Sequence, residues 1–146
     1  MNKKIIIGIV IAVAIIIIGI IGGICYKNSK NNVDSEVIEI INNLNNGSGY
    51  YGDWKTGLHI TRINKVKKID VKLYNKLDDN EDKLDESSKI FIMDLEEKFY
   101  GNVEIIVVNG EVTANSILGE TYDELWNKDI FTKDKINIEK INEEIK

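Results

Sequence analysis

A glycine-rich segment, residues 47–57, contains three aromatic residues, Tyr50, Tyr51 and Trp54. Aromatic rings beside glycine and aspartate form adaptable contact surfaces, which stack on sugars or insert into a pocket of a partner protein. The alternative is that one or two of these rings only cover the edge of a neighbouring hairpin. We predict ligand or partner contact at the three residues, and a glycan or small-ligand binding module is one function that they would serve.

Residues 47–52 of this segment match the G-x-G-x-x-G pattern of nucleotide-binding loops. The chemistry of that pattern requires a strand before the glycines and a helix after them, so that a pyrophosphate can rest on the helix N-terminus. The surrounding sequence favours the reverse order, with a helix before the glycines and a strand after them. The segment is therefore predicted to be a flexible connector, and no cofactor is expected.

An acidic run, Asp78–Asp82, begins like a calcium-binding loop of the D-x-N-x-D type. An EF-hand would have glycine at the sixth position and glutamate at the twelfth, but these positions hold Lys83 and Lys89. The sequence has one histidine, His59, and one cysteine, Cys25, which excludes a zinc site of histidine or thiolate ligands within one chain. We expect a solvated acidic loop and no metal site, with weak calcium association by the carboxylates as the alternative.

A catalytic site would need a general base, and His59 is the only imidazole in the sequence. It lies between Leu58 and Ile60, so it faces outward if those two residues face the core. Adjacent carboxylates such as Glu96 and Glu97 would point in different directions from a helix surface. The sequence therefore predicts that the protein is not an enzyme, and a site built from scattered carboxylates and tyrosines is the remaining catalytic hypothesis.

The distribution of charge argues against nucleic acid as a partner. All 24 acidic residues lie at or after Asp34, whereas four of the 19 basic residues precede Asn31. Beyond residue 30 the chain thus carries 15 basic against 24 acidic residues, a net charge of −9. An acidic domain of this kind repels a phosphate backbone.

Residues 5–25 form an uncharged apolar run of isoleucine, valine, alanine and glycine that ends at Cys25. As a helix, this run would reach roughly 31 Å, the thickness of the hydrocarbon core of a bilayer. A cleaved signal has a shorter apolar centre and small residues at its cleavage site, and the bulky Ile24 also argues against a lipoprotein signal. The run therefore predicts an uncleaved anchor in the cell membrane, with the bilayer as a partner and the C-terminal domain outside the cytoplasm.

Four small residues of this run fall within roughly 60° of one another on a helical wheel, and they are Gly8, Ala12, Gly19 and Gly23. Such a stripe lets two membrane helices approach closely, so it predicts helix packing and a candidate homodimer. The alternative is that glycine and alanine are simply common in membrane helices. The sequence leaves open whether Cys25 is modified and whether the sequon Asn46-Gly47-Ser48 is glycosylated.

The domain organisation follows from these segments. We predict a basic flank over residues 1–4, an anchor over 5–25, a tether over 26–33 and an acidic domain over 34–146. In the domain, Asp34 or Ser35 can cap a helix that ends near residue 46. Two strands, residues 58–63 and 66–74, are expected next, with the turn between them at residues 64–65.

The second half of the domain contains more residues that favour helix ends and turns. Ser87 or Ser88 can cap a helix that ends at Tyr100 before Gly101, although Ile90–Met93 fits a strand equally well. The further expected elements are a strand over residues 103–109, a hairpin turn at Asn109-Gly110, a capping box of Thr121 and Glu124, and a last helix after Asp134. The predicted fold class is α+β, with a single N-terminal transmembrane helix and a small two-layer domain that has a mostly antiparallel sheet and helices on one face.

The function that these features predict is presentation of a domain rather than catalysis. We expect a single-pass membrane-anchored protein with a small extracytoplasmic interaction or structural domain, whose partner is an unidentified protein or envelope component. The alternative is the glycan or small-ligand binding module at residues 47–57.

Overall fold

The computed structural model describes residues 33–47, 50–51, 54–55, 57–78, 81–113 and 120–145. Residues Asp34–Lys146 belong to one compact unit. The elements in chain order are α1 (33–45), β1 (Tyr50–Tyr51), β2 (Trp54–Lys55), β3 (Ile60–Ile69), α2 (Val71–Leu77), β4 (Ile90–Glu97), β5 (Gly101–Val108), β6 (Glu111–Thr113), α3 (Tyr122–Trp126) and α4 (Ile138–Glu144).

The main sheet has four antiparallel strands in the order β3-β4-β5-β6. Neighbouring strands in the sheet also follow one another in the chain, with α2 in the connection between β3 and β4. A separate antiparallel pair is formed by β1 and β2. The mostly antiparallel α+β domain is therefore present.

The predicted fold class is wrong in its membrane-spanning helix. No helix in the described part of the chain is long and apolar enough to cross a membrane. A span needs about 20 apolar residues, whereas α2, α3 and α4 have 7, 5 and 7 residues. The predicted segment 5–25, including Gly8, Ala12, Gly19 and Gly23, lies outside the described residues. The fold class is corrected to a small α+β domain with a four-stranded antiparallel sheet.

The prediction that helices cover only one face of the sheet is also wrong. The first four residues of β4, Ile90–Met93, are completely buried, and successive side chains of a strand point to opposite faces. Ile90 and Ile92 pack in a cluster with Tyr74 of α2 and Leu125 of α3. These two helices therefore cover the first face of the sheet.

Helix α1 covers the opposite face. Its Glu36 carboxylate lies 3.4 Å from the Lys68 ammonium of β3, and that ammonium lies 5.7 Å from the ring centroid of Phe91. Because Phe91 alternates with Ile90 and Ile92 along β4, α1 packs on the face that α2 and α3 do not cover.

Burial on both faces also explains why residues 90–97 form a strand. The sequence fits either a helix from Ser87 or Ser88 to Tyr100 or a strand at Ile90–Met93, and the structure has the strand. A helix on one face of a sheet would leave some of the four consecutive apolar residues in water. A central strand buries all of them, as strands covered on both faces usually do.

A single ten-residue strand, β3, replaces the two strands and the turn at residues 64–65 that the sequence predicted. Its buried residues Ile60, Ile63 and Val66 are three positions apart, whereas residues of a regular strand share a face at intervals of two. Two register shifts within residues 60–65 resolve this difference, since each places one extra residue opposite β4. The three apolar side chains consequently face the same side.

The strand ends at Asp70, and the predicted continuation of strand to Tyr74 is wrong. The Asp70 carboxylate accepts a hydrogen bond of 3.0 Å from the Leu73 N–H and so caps α2.

The predicted N-cap of α1 is also wrong. Asp34 and Ser35 do not cap this helix, because residues 33–45 are already helical. The Asp34 carboxylate instead accepts a hydrogen bond of 2.9 Å from the Asn137 N–H, at the N-cap of α4.

Two local predictions are confirmed. Asn109 and Gly110 have φ values of 51° and 85°, which are the left-handed conformations of a two-residue hairpin turn. Thr121 and Glu124 form the reciprocal hydrogen bonds of a capping box at the start of α3.

Asparagine side chains cover the outer edge of β3. The Asn45 amide accepts from the Ile60 N–H at 2.8 Å and donates to the Ile60 carbonyl at 3.2 Å. The Asn142 amide of α4 makes the same pair of bonds to Ile63, at 2.8 and 3.0 Å. Each amide thus replaces one residue of a neighbouring strand, which protects the edge from pairing with another chain.

Candidate contact site at the β4–β5 turn

The predicted contact residues lie in the β1–β2 pair. Tyr50 and Tyr51 form β1 and Trp54 begins β2, with Tyr51 opposite Trp54 and Tyr50 opposite Lys55. The side chains of these residues lie outside the described part of the structure, so contact at Tyr50, Tyr51 and Trp54 stays a prediction. The candidate helix-packing residues Gly8, Ala12, Gly19 and Gly23 also lie outside it.

The first glycine of the G-x-G-x-x-G match has a structural role. Gly47 follows the end of α1 with a φ of 75°, and its N–H donates to the Leu44 carbonyl at 3.2 Å. A glycine in the left-handed conformation directly after a helix is a common helix C-terminus. The order of the described elements, with a helix before this glycine and strands after it, is the one expected from the sequence.

A different pair of aromatic residues is exposed at the turn between β4 and β5. The exposed fractions of Phe99 and Tyr100 are 67% and 80%, although both are large apolar residues. We name residues Glu97–Gly101 the aromatic turn. The sequence pattern does not reveal this site, because it is also compatible with these residues at the end of a helix.

The Glu97 carboxylate holds the aromatic turn in place. Glu97 is 4% exposed, and its Oε2 accepts hydrogen bonds from the N–H groups of Phe99 at 2.7 Å and Tyr100 at 2.8 Å. Its Oε1 accepts from the His59 N–H at 3.0 Å. The Lys98 N–H in turn donates to the His59 carbonyl at 3.0 Å. The turn is therefore tied both to its own strand and to the segment that enters β3.

Hydrogen bonding favours the charged form of this carboxyl group. Burial of Glu97 raises its pKa, but the N–H groups of Tyr100, Phe99 and His59, together with the nearby His59 imidazole, act in the opposite direction. The result is a pKa below its ordinary value of 4.5. The fold is therefore stabilised by ionised Glu97 above the unfolded-state pKa, and this contribution is lost as the pH falls through the folded-state pKa.

We expect Glu97→Gln to lower the free energy of unfolding at pH 7, because an amide offers one acceptor oxygen where three N–H groups need partners. The difference from the wild-type protein should begin to narrow as the pH falls below 4.5, the ordinary pKa of the group, and should be lost as the pH passes through the lower folded-state pKa, where Glu97 of the folded wild type becomes protonated as well. Urea denaturation at pH 7, 5, 4 and 3 measures this difference. Glu111→Gln removes an exposed carboxylate of β6 and should change the stability little at pH 7. A pH-independent difference for Glu97→Gln would contradict the assignment.

His59 belongs to the same site. Its side chain is 57% exposed and its Nδ1 lies 3.8 Å from Glu97 Oε1. Its ring meets that of Phe99 edge to face, with 5.0 Å between the centroids. The outward orientation expected from the sequence is confirmed. The Glu97 oxygens accept three backbone hydrogen bonds, so this carboxylate orients the turn.

An open groove of about 520 Å³ lies beside the turn. Its described lining consists of Asn45, Asn46, Leu58, His59, Ile60, Thr61, Lys98 and Ile145. None of these described residues is a carboxylate, although the domain as a whole is acidic. Side-chain amides, a hydroxyl group, an imidazole and an ammonium group thus line this space. The exposed ring of Phe99 contacts the imidazole of His59, which is one of the lining residues.

The acidic run has a different role at its start. Asp78 is buried and forms the C-cap of α2, where its N–H donates to the Tyr74 carbonyl. The next two residues lie outside the described residues. Within the part of the chain that the structure describes, no group of three or more histidine, cysteine, aspartate or glutamate residues could hold a metal ion.

No protein-family model matches the chain, and neither a curated protein nor a solved structure matches it. The residues themselves are therefore the basis for a functional proposal.

The sequence signal for the aromatic turn is the pair Phe99-Tyr100 directly before a glycine. Gly101 has a φ of 76°, so this glycine closes a turn between two strands.

Proposed function

We propose that this domain is a non-catalytic binding module and that the aromatic turn is its contact surface. The observation that carries the proposal is the exposure of Phe99 and Tyr100, at 67% and 80%, on a turn whose backbone is held by a buried carboxylate. Tyrosine and phenylalanine supply a large contact area, and aromatic anchors dominate the energetics of many interfaces.

Preorganisation supports this proposal. A flexible loop loses conformational entropy when it binds, whereas a loop already held in its bound shape loses less. Two hydrogen bonds to Glu97 fix the backbone N–H groups of the two aromatic residues, and a third joins Glu97 to the His59 N–H. Two exposed rings that served only the stability of the fold would not need this arrangement, because they bury little of their own surface.

The predicted contact at residues 47–57 is a separate proposal. The backbone of β1 lies beside β6, which pairs with the C-terminal end of β5, whereas the aromatic turn lies at the N-terminal end of β5. The predicted location outside the cytoplasm depends on residues 5–25, which lie outside the described residues, and it stays a prediction.

Site-specific photocrosslinking in the native host tests the proposed function. Tyr100 is replaced by p-benzoylphenylalanine, which inserts into C–H bonds of proteins and carbohydrates alike, and the matched position is Leu77, another exposed apolar residue. We expect discrete adducts from position 100, their loss when Phe99→Ala is added, and none of the same adducts from position 77. Identical adduct patterns at both positions, or no adducts at position 100, would overturn the proposal.

A further inference from the structure

We propose that the groove beside the aromatic turn binds an uncharged glycan, with a sugar ring in the groove and the neighbouring unit against Phe99 and Tyr100. This inference rests on the proposed function and specifies its ligand class. It is carried by the combination of polar groups in the groove, the absence of a carboxylate from its described lining and the adjacent exposed rings.

The lining offers the groups that sugar hydroxyls require. A hydroxyl both donates and accepts, so it pairs well with the amide of Asn46, the hydroxyl of Thr61 and the imidazole of His59. Thr61 donates to the Glu96 carbonyl at 3.2 Å, which leaves its oxygen as an acceptor. The Asn45 amide is already engaged by Ile60, so it shapes the wall of the groove.

The balance of charge favours a neutral ligand over an ion. Lys98 contributes a positive charge, and the C-terminal end of α1, which reaches the groove at Asn45, contributes the negative end of a helix dipole. The helix dipole disfavours an anion near this end of α1, and the ammonium group disfavours a cation. A polyhydroxylated neutral molecule meets neither penalty.

The rings beside the groove supply the apolar part of the contact. The C–H faces of a pyranose stack on aromatic rings, and an amphipathic ring such as that of Tyr100 can also offer its hydroxyl group. The edge-to-face contact between Phe99 and His59 connects the rings with the groove. A glycan of two or more units can therefore contact the groove and the aromatic turn at the same time.

Titration of the intact ¹⁵N-labelled chain tests this inference. The probes are four uncharged hexasaccharides, namely cellohexaose, chitohexaose, mannohexaose and maltohexaose, and one charged hexamer, hexagalacturonate. We expect saturable amide shifts at His59, Lys98, Phe99 and Tyr100 with at least one uncharged probe. Phe99→Ala should raise its Kd at least tenfold, while Leu77→Ala, which changes an exposed apolar residue outside the groove, should change it less than threefold.

Three results would overturn the glycan inference. The first is binding of hexagalacturonate alone, and the second is binding of an uncharged probe with no dependence on Phe99. The third is no binding by any probe while the position-100 crosslinks consist of protein, which would leave the proposed function intact with a protein partner. If neither crosslinks nor probe binding occur at the turn, the proposed function itself is wrong.

Discussion

Phe91→Ala is expected to lower the free energy of unfolding by about 3–5 kcal/mol, the range found when a buried phenylalanine is truncated in a protein core. Phe91 is completely buried in the central strand β4. Its ring lies on the face that α1 covers, beneath the Lys68 ammonium. The expected loss of stability has two parts, the transfer free energy of the removed ring and the cost of the cavity that it leaves. The cavity remains because the strands on both sides of β4 prevent the sheet from closing over it.

Phe99→Ala is the matched control for this prediction. Both substitutions remove a phenylalanine ring from the β4–β5 hairpin, but Phe99 is 67% exposed. We expect a change of less than about 0.5 kcal/mol in the free energy of unfolding, which is typical of surface positions. Urea denaturation followed by tryptophan fluorescence measures both variants. Similar losses of stability for the two variants would contradict the burial described here and the assignment of Phe99 to a contact surface.

Asn142→Leu is expected to lower the free energy of unfolding by about 2–4 kcal/mol, because it leaves a buried N–H and a buried carbonyl of Ile63 without partners. The Asn142 amide supplies both hydrogen bonds, and Ile63 is completely buried. Leucine fills a similar volume but can neither donate nor accept. The same substitution should also expose the edge of β3 and promote association between chains.

Two further variants separate the two hydrogen bonds from the side-chain volume. Asn142→Asp keeps an acceptor for the Ile63 N–H, but its ionised form has no donor for the Ile63 carbonyl. Protonation at low pH supplies an O–H donor, so this variant should be least destabilising at low pH and no more stable than the wild-type protein at any pH. Asn43→Leu changes an exposed asparagine of α1 and should have little effect. Chemical denaturation gives the stabilities, and sedimentation velocity gives the association. An Asn142→Leu protein as stable as Asn43→Leu would show that water replaces the amide.

Local features of the sequence were sufficient where the interacting residues are neighbours in the chain. The Asn109-Gly110 turn and the Thr121–Glu124 capping box depend on residues one to three positions apart, and both are present. The apolar spacing of α1 and the glycine that follows it are of the same kind. These elements can be predicted because their hydrogen bonds and backbone conformations are set within one or two turns of chain.

The candidate site could not be predicted in this way. It requires the buried carboxylate of Glu97 to accept a hydrogen bond from His59, which is 38 positions away in the chain. The sequence identified His59 as exposed and Glu97 only as one of two adjacent carboxylates. Which of the two carboxylates is buried depends on the register of β4 against β3. That register is set by pairing between strands that are distant in the chain.

By itself, the sequence determined that the domain is acidic, that it mixes helices with an antiparallel sheet, and where its sharpest turns and caps lie. Tertiary structure alone decided that Ile90–Met93 form a strand. Helices on both faces of the sheet are needed to bury four consecutive apolar residues of one strand. Tertiary structure also decided that β3 continues through residues 64–65, because bulges opposite β4 bring apolar residues spaced by three onto one face. Both outcomes depend on contacts between segments distant in the chain, which no local pattern encodes.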